Sequence, residues 1–170
     1  MKFKNLKILF FIIINSIFLS GCHYSFTGAS VPEHLHTIAI PLFKDNSGSG
    51  EPDLNSKFTS QTIKFFIDDN TLQVTDKENA DAVLTCSING FTDTPSTITG
   101  NEQISLRRVN LTVRAVYRDI VMKKTIWQQN FTNYEDYKNS GDIVQNRRDA
   151  IDAAIKKISE DILLAVVSNW

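Results

Sequence analysis

The sequence predicts an α+β fold: a two-layer sandwich in which a four-stranded sheet, mostly antiparallel or mixed, carries two helices on one face. Two observations predict it. Four segments alternate apolar and polar residues with the period of two that a half-buried strand requires. Two other segments repeat apolar residues every three to four positions, which is typical of an amphipathic helix on a core. The predicted order is β-α-β-β-β-α, and the second sheet face is polar and remains for solvent or a partner.

The first strand and helix are predicted within residues 36–67. His36–Phe43 alternates, and Pro41 lacks an amide hydrogen, so this strand lies at an edge or ends there. The glycine-containing segment 45–50 predicts a turn. Pro52–Ile67 predicts a helix, with Pro52 suited to its first turn. The apolar face of this helix would contain Leu54, Phe58, Thr62 and Phe65, with Ile63 and Phe66 beside them.

Three strands follow, after a short extended piece at residues 72–75. Ala82–Phe91 alternates so that Cys86 falls on the apolar face, which indicates core packing and not a reactive thiol. The Thr-, Ser- and Pro-rich segment 92–100 predicts a long hairpin loop. Ile104–Ile120 and Thr125–Tyr137 predict a long antiparallel pair joined by a turn. Their inner faces would contain Val109, Leu111, Val113, Ala115, Tyr117, Trp127, Phe131 and Tyr137.

The last predicted element is a helix from Asp142 to about Val167. Asp142 and Gln145 have the spacing of a capping box, with Asp in the usual place of Ser or Thr. The helix would present one mostly apolar face to the sheet. That face repeats Val144, Arg147, Ile151, Ala154, Ile158, Ile162 and Ala165.

The composition excludes several classes of protein. Hydrophobic residues make up 42% and charged residues 22%, which is ordinary for a globular domain and too apolar for a largely disordered chain. The net charge of -1 provides no basic excess, so a nucleic-acid partner is not expected. The long apolar stretch lies at the N-terminus alone, which excludes a polytopic membrane protein. Two cysteines cannot hold a disulfide-rich fold.

Residues 1–21 are predicted to be a lipoprotein signal peptide. Three lysines precede the apolar core Ile8–Leu19, which is too short to span a bilayer comfortably. The sequence Leu19-Ser20-Gly21-Cys22 is typical of a bacterial lipobox, in which the Cys22 thiol receives diacylglycerol and cleavage makes Cys22 the first residue. An ordinary signal peptide or a membrane anchor with a chance cysteine is the alternative.

The lipobox has consequences for the rest of the chain. Residues 22–35 would form a lipidated tether and residues 36–170 the α+β domain. Removal of three lysines and no acids changes the net charge from -1 to -4. Cys86 would have no disulfide partner. No aspartate follows Cys22, which favours the outer membrane. The tether after Cys22 reaches about 45 Å at most, which favours a partner close to the membrane.

No catalytic constellation is found in the sequence, so we expect no enzyme, no metal and no cofactor. His34-x-His36 could place two imidazoles together, but no third ligand lies nearby. Gly48-Ser49-Gly50 lacks the lysine of a phosphate-binding loop. Asp68-Asp69 lies at a helix end, where solvation explains the two carboxylates.

A cluster of basic residues lies along the long hairpin. Arg108, Arg114 and Arg118 share one strand face, and the arginine fork binds phosphate groups with two hydrogen bonds. The alternative is a solvated face with cross-strand ion pairs to Glu135 or Asp136. The candidate ligand-binding residues are Arg107, Arg108, Arg114, Arg118, Lys123 and Lys124.

Several stretches resemble the LptE family of lipopolysaccharide-assembly lipoproteins in its Bacteroidetes-type form. Residues 21–30 (GCHYSFTGAS) lead to residues 37–43 (TIAIPLF), and residues 80–84 (ADAVL) follow later. The resemblance implies a non-enzymatic plug within the LptD β-barrel of the outer membrane, on the periplasmic side or in the barrel lumen. It also implies assistance to barrel folding, insertion of lipopolysaccharide into the outer leaflet, and lipopolysaccharide binding.

The family motif supports only Cys22 as a site residue, so the basic residues are predicted from charge pattern. They become candidate contacts for lipopolysaccharide phosphates or for acidic residues of the barrel lumen. The runner-up is an accessory lipoprotein that activates a cell-wall synthase or assembles a secretion pore. A periplasmic hydrolase or metal binder would need a convergent polar pocket, which the sequence does not offer.

Overall fold

The computed structural model describes residues 31–99 and 103–168. The predicted signal peptide, the lipobox and Cys22 therefore lie outside the described residues. Within these ranges, neither of the two α-helices combines the length and apolar character that crossing a bilayer requires.

The described residues form six strands and two α-helices, in agreement with the predicted α+β sandwich. The sheet order is β3-β1-β4-β5-β6, and β2 also pairs with β4. β1 runs parallel to β3 and β4, whereas β4, β5 and β6 are antiparallel, so the sheet is mixed. The elements are β1 (Thr37–Ala39), β2 (Lys44–Asp45), α1 (Leu54–Asp69), β3 (Gln73–Val74), a 3₁₀ turn (Lys77–Asn79), β4 (Ala82–Thr99), β5 (Gln103–Asp119), β6 (Lys124–Lys138) and α2 (Ile143–Ser168).

The strand count differs from the prediction of four because the first strand is divided and the segment at residues 73–74 joins the sheet. β1 ends at Ala39, two residues before Pro41, and the chain returns to the sheet as β2. β1 lies between β3 and β4, so the strand ends near the proline and is not an edge. The missing amide hydrogen of Pro41 explains the interruption, since it cannot donate to the ladder.

The loop predicted at residues 92–100 is wrong over its described part. β4 continues to Thr99 and stays paired with β5 as far as Thr99 and Gln103. Threonine favours strands, and the facing β5 provides pairing partners along this segment. Pro95 borders a register shift between Pro95 and Thr97, where the ladder is interrupted and a proline is tolerated.

The hydrophobic core lies between the sheet and the two helices. The predicted inner residues of β5, from Val109 to Tyr117, are completely buried. Trp127 and Phe131 of β6 pack against this core, and Tyr137 is buried. Cys86 is also buried, and burial raises the pKa of its thiol, which confirms core packing. The sequence pattern therefore assigns the inner face of the long hairpin correctly.

Both helices begin slightly later than the sequence predicts. α1 starts after Asp53, which adopts a left-handed backbone, and ends at Asp69; the N–H of the following Asn70 donates to the Phe66 carbonyl oxygen. In α2 the Asp142 carboxylate accepts the Gln145 N–H at 3.0 Å, as the capping box predicts. The Gln145 side chain binds Asp149 instead of completing the box.

Val144 does not belong to the buried face of α2, contrary to the sequence prediction. Its side chain is 70% exposed. It lies in the first turn of the helix, whereas burial in the core begins at Ala150. The predicted spacing of apolar residues in α2 is therefore correct, but Val144 lies before the part of the helix that packs on the sheet.

Candidate ligand-binding face of the sheet

The sheet face opposite the helices is formed by alternate residues of β4, β5 and β6, and we call it the outer face. Its side chains are mostly threonine, asparagine, glutamine and arginine. Pairing across the strands places three rows side by side, with β5 in the middle. The rows are Thr85, Ser87, Thr92 and Thr94; then Arg118, Val116, Arg114, Thr112, Asn110 and Arg108; then Gln128, Asn130, Thr132, Tyr134 and Asp136.

One corner of this face is covered. Ala39, Ala80 and Val83 form a second, small buried cluster where the chain after the 3₁₀ turn returns to the sheet. Val83 lies beside Arg118 in the pairing. The outer face is therefore open along β5 and β6, but not at the start of β4.

Arg108 is engaged by a neighbouring carboxylate. Its Nε and Nη2 donate to the two carboxylate oxygens of Asp136 at 2.7 and 2.8 Å, and its guanidinium lies 4.0 Å from the centre of the Tyr134 ring. The hydrogen bond between the two side chains raises the pKa of Arg108 and lowers the pKa of Asp136. This is the cross-strand pair that the sequence left as the alternative interpretation. Glu135, the other candidate, pairs with Lys157 of α2.

Arg114 and Arg118 are exposed on the outer face. Arg114 lies between Ser87 and Asn130, and Arg118 lies between Val83 and Thr125. Within the part of the chain that the structure describes, neither guanidinium has an ion pair or a hydrogen bond. Four residues along a strand separate them by about 13 Å. The outer face thus presents two positive charges that are free to bind an anionic group.

Lys123 and Lys124 lie at the end of the long hairpin and do not belong to the row of outer-face arginines, since Lys124 pairs with Asp119 and not with Arg118. Both are exposed; Lys123 is the last residue of the turn that joins β5 to β6, and Lys124 is the first residue of β6. Lys123 has the left-handed backbone that closes this turn, and Lys124 opens β6 opposite Asp119. They lie beyond Arg118 at the same end of β5.

Arg107 is separated from the other five predicted residues. Strand alternation turns its side chain towards the helix layer, where its Nε donates to Asp93 Oδ1 and to the Tyr137 hydroxyl, both at 2.9 Å. Asp93 Oδ2 accepts Arg147 Nε at 2.8 Å, and Arg147 Nη2 donates to Glu51 at 2.8 Å. We call these five residues the ionic cluster. Its arrangement supports a structural role, because each of its charges has a partner inside the protein.

The ionic cluster is not among the sites predicted from the sequence. Asp93 falls in the segment 92–100 that is predicted as a loop, and Arg147 falls in the apolar repeat predicted for α2. A charged residue within an apolar repeat is itself the signal, because a partly buried charge needs a partner. Asp93 supplies that partner once its segment is read as a strand.

The described residues form no metal site, and their grooves do not include the outer-face arginines. The His34 imidazole Nε2 lies 2.8 Å from Asp119 Oδ2, and residues 31–99 and 103–168 contain no group of three metal-ligating side chains. Two shallow grooves of about 410 and 200 Å³ lie elsewhere, between α1 and α2 and beside β1. Their linings do not include the arginines of the outer face.

The fold is known from bacterial lipoproteins. Rare lipoprotein B from Shewanella oneidensis superposes with a TM-score of 0.56 at 11% identity, over 76% of this chain and 92% of that one. A protein from Xanthomonas campestris gives 0.60 at 10% identity, over 82% and 91%. PelC from Paraburkholderia phytofirmans, solved as a dodecamer, gives 0.53 at 13% identity, over 83% and 95%. The shared feature is the fold, an open mixed sheet with two helices on one face.

The family model LptE, described as lipopolysaccharide-assembly, matches residues 35–166. The chain therefore belongs to the LptE family of accessory, non-enzymatic lipoproteins. No curated protein matches the sequence significantly. The match confirms the family-level resemblance and covers the sheet and both helices.

Proposed function

We propose that this protein is an outer-membrane lipoprotein of the lipopolysaccharide transport machinery. A lipid on Cys22 would anchor it, and the domain would plug an LptD-type β-barrel, assist its assembly and help to insert lipopolysaccharide into the outer leaflet. Membership of the LptE family supports the role in lipopolysaccharide assembly. The Bacteroidetes-type resemblance of residues 21–43 belongs to the same proposal.

The observation that supports a direct role in ligand binding is the exposure of Arg114 and Arg118. Both are exposed and free of internal ion pairs in the described chain, whereas the guanidinium of Arg108 is bound by Asp136. Lipopolysaccharide carries phosphate groups, which guanidinium forks bind with two hydrogen bonds. The threonines and amides around them offer further hydrogen bonds to sugar hydroxyls.

The ligand role is tested with Arg114→Glu combined with Arg118→Glu. Lipopolysaccharide binding by the purified protein should weaken at least about tenfold, since one charge-assisted hydrogen bond contributes about 1.5 kcal/mol or more. The matched control is Lys64→Glu with Lys156→Glu, which makes the same change in charge on exposed helix positions. Equal binding by the two folded double variants would exclude the outer face as the ligand site.

The partner and the anchor are tested in outer membranes. The tagged, lipidated protein is purified from solubilised membranes, and the proteins that accompany it are identified by mass spectrometry. A large β-barrel in near-equal amount is expected. Cys22→Ala should release the protein into the periplasm. Retention of this variant in alkali-washed membranes would contradict the lipobox.

A second candidate is an accessory lipoprotein that assembles as an oligomer, at a secretion pore or on a cell-wall synthase. Two observations favour it: the fold is shared with the PelC dodecamer, and β6 is a 15-residue edge strand paired only with β5 among the described strands. Such an edge can pair with another chain. Native mass spectrometry of the lipidated protein decides between them, because discrete large oligomers without a barrel would favour this candidate.

A further inference from the structure

The turn between β5 and β6 exposes consecutive apolar side chains. Ile120, Val121 and Met122 are 40%, 57% and 56% exposed, and Lys123 and Lys124 follow directly. We call residues 120–124 the hairpin tip. Turns usually carry glycine, asparagine, aspartate or serine, which suit the backbone and the solvent. Single exposed apolar residues are common, but three in a row at a tip indicate that something other than water covers them.

The hairpin tip is held in place by a buried carboxylate. Asp119, only 1% exposed, accepts the Met122 N–H through Oδ1 at 2.7 Å and contacts His34 Nε2 through Oδ2 at 2.8 Å. The Ile120 N–H also donates to the Asp81 carbonyl oxygen at 2.8 Å. These bonds fix the backbone of the turn, so its apolar side chains are held outward instead of folding back on the core.

The hairpin tip lies at the end of the domain where the N-terminal chain arrives. His34 contacts Asp119, the last residue before the tip. The pairing of Ile38 with Ala82 and of Ala82 with Asp119 places the start of β1 at the same end of the sheet. Eight residues lie between Cys22 and Val31, the first described residue, so the two can be about 30 Å apart at most. A lipid on Cys22 would therefore keep this end close to the membrane.

We propose that the hairpin tip inserts into the phospholipid surface to which the chain is anchored. Ile120, Val121 and Met122 enter the boundary between headgroups and acyl chains, and the two lysines contact lipid phosphates. Apolar side chains next to cationic ones are the combination that binds such a surface. This inference rests on the proposed lipid anchor. Together with that anchor, the tip gives the domain a second membrane contact and fixes its orientation.

The test measures the depth of the hairpin tip in a membrane. The lipidated full chain carries Val121→Cys labelled with an environment-sensitive fluorophore. Cys86 is buried and Cys22 is occupied by lipid, so position 121 is the site that reacts. The protein is reconstituted in vesicles of phosphatidylethanolamine with one quarter phosphatidylglycerol, with or without brominated acyl chains. The matched control is Ser140→Cys, an exposed position at the other end of β6.

We expect the emission from position 121 to shift to the blue and to be quenched severalfold more by brominated lipid than the emission from position 140. If the protein floats with the vesicles but emission from the two positions is equal and unquenched, the tip contact is wrong. The lipid anchor would still be supported by the flotation. A blue shift without quenching would also overturn it, because a protein surface would then cover the tip. Failure of the protein to float would contradict both the anchor and the tip.

Discussion

Asp93 of β4 and Arg147 of α2 lie 54 residues apart in sequence, and the Arg147 Nε donates to Asp93 Oδ2 at 2.8 Å. The same carboxylate accepts the Arg107 Nε from the adjacent strand β5 and the Tyr137 hydroxyl from β6, the strand beyond it. Arg147 Nη2 also donates to the carboxylate of Glu51, which precedes α1. One partly buried carboxylate thus connects three strands with the start of one helix and the approach to the other.

Replacement of Asp93 by alanine should lower the free energy of unfolding by about 2 kcal/mol. Removing one partner of a buried ion pair costs about 3–5 kcal/mol, and the partial exposure of this cluster reduces the cost. Urea unfolding measures the change. Asp152→Ala is the control, because its ion pair with Lys57 is exposed and should contribute less than about 1 kcal/mol. Equal losses for the two variants would show that the ionic cluster is not structural.

The contribution of Asp93 should also depend on pH. Burial alone would raise its pKa, but hydrogen bonds from Arg147, Tyr137 and Arg107 lower the pKa below its ordinary value of 3.8. A carboxylate with a lowered folded-state pKa stabilises the fold above its unfolded value, and the stabilisation is lost as pH falls through the folded pKa. The stability difference between wild type and Asp93→Asn should be constant from about pH 7 to 5 and shrink below about pH 4. A difference that grows in acid would contradict the predicted lowering.

The inner face of the sheet was predictable from the sequence because period-two alternation reports burial directly. The alternate residues from Val109 to Tyr117 are buried as predicted, and so are the apolar residues predicted for the inner face of α2 from Ile151 to Ala165. The continuation of β4 through Pro95 was not predictable, since its turn-forming residues are held in the ladder only by pairing with β5. Tertiary partners there override local preference.

The candidate site was predictable in part, for a similar reason. Alternation separates Arg108, Arg114 and Arg118 from Arg107, and the structure agrees. Which arginines are free depends on the register with β6, because register places Asp136 beside Arg108 and Asn130 beside Arg114. A single sequence does not determine that register, because β6 has polar residues on both of its faces over several positions.

Asp136→Asn should increase the affinity for lipopolysaccharide if the outer face binds its phosphates. The substitution removes the carboxylate that now engages both Nε and Nη2 of Arg108, and it frees a third guanidinium on the same strand face as Arg114. Titration with lipopolysaccharide at low ionic strength measures the gain. Asp149→Asn, an exposed position on α2, makes the same change in charge away from the face and should have little effect. An equal gain from both variants would indicate a general effect of net charge, and a loss from Asp136→Asn would contradict phosphate binding at this face.

Replacement of Asp119 by alanine should loosen the hairpin tip without unfolding the sheet. Burial alone would raise the pKa of Asp119, but hydrogen bonds from the Met122 N–H and His34 lower it, so the carboxylate is charged at neutral pH. Asp119→Ala removes the acceptor for the Met122 amide, whose hydrogen exchange should accelerate at least about tenfold. Asp119→Asn is the control, because its side-chain oxygen can still accept this amide while the charge opposite His34 is lost. If both variants exchange equally fast, the contact between the Asp119 carboxylate and His34, and not the turn hydrogen bond, holds the tip. If neither exchanges faster, the backbone bond from Ile120 to Asp81 is sufficient, and the rigidity assigned to Asp119 is wrong.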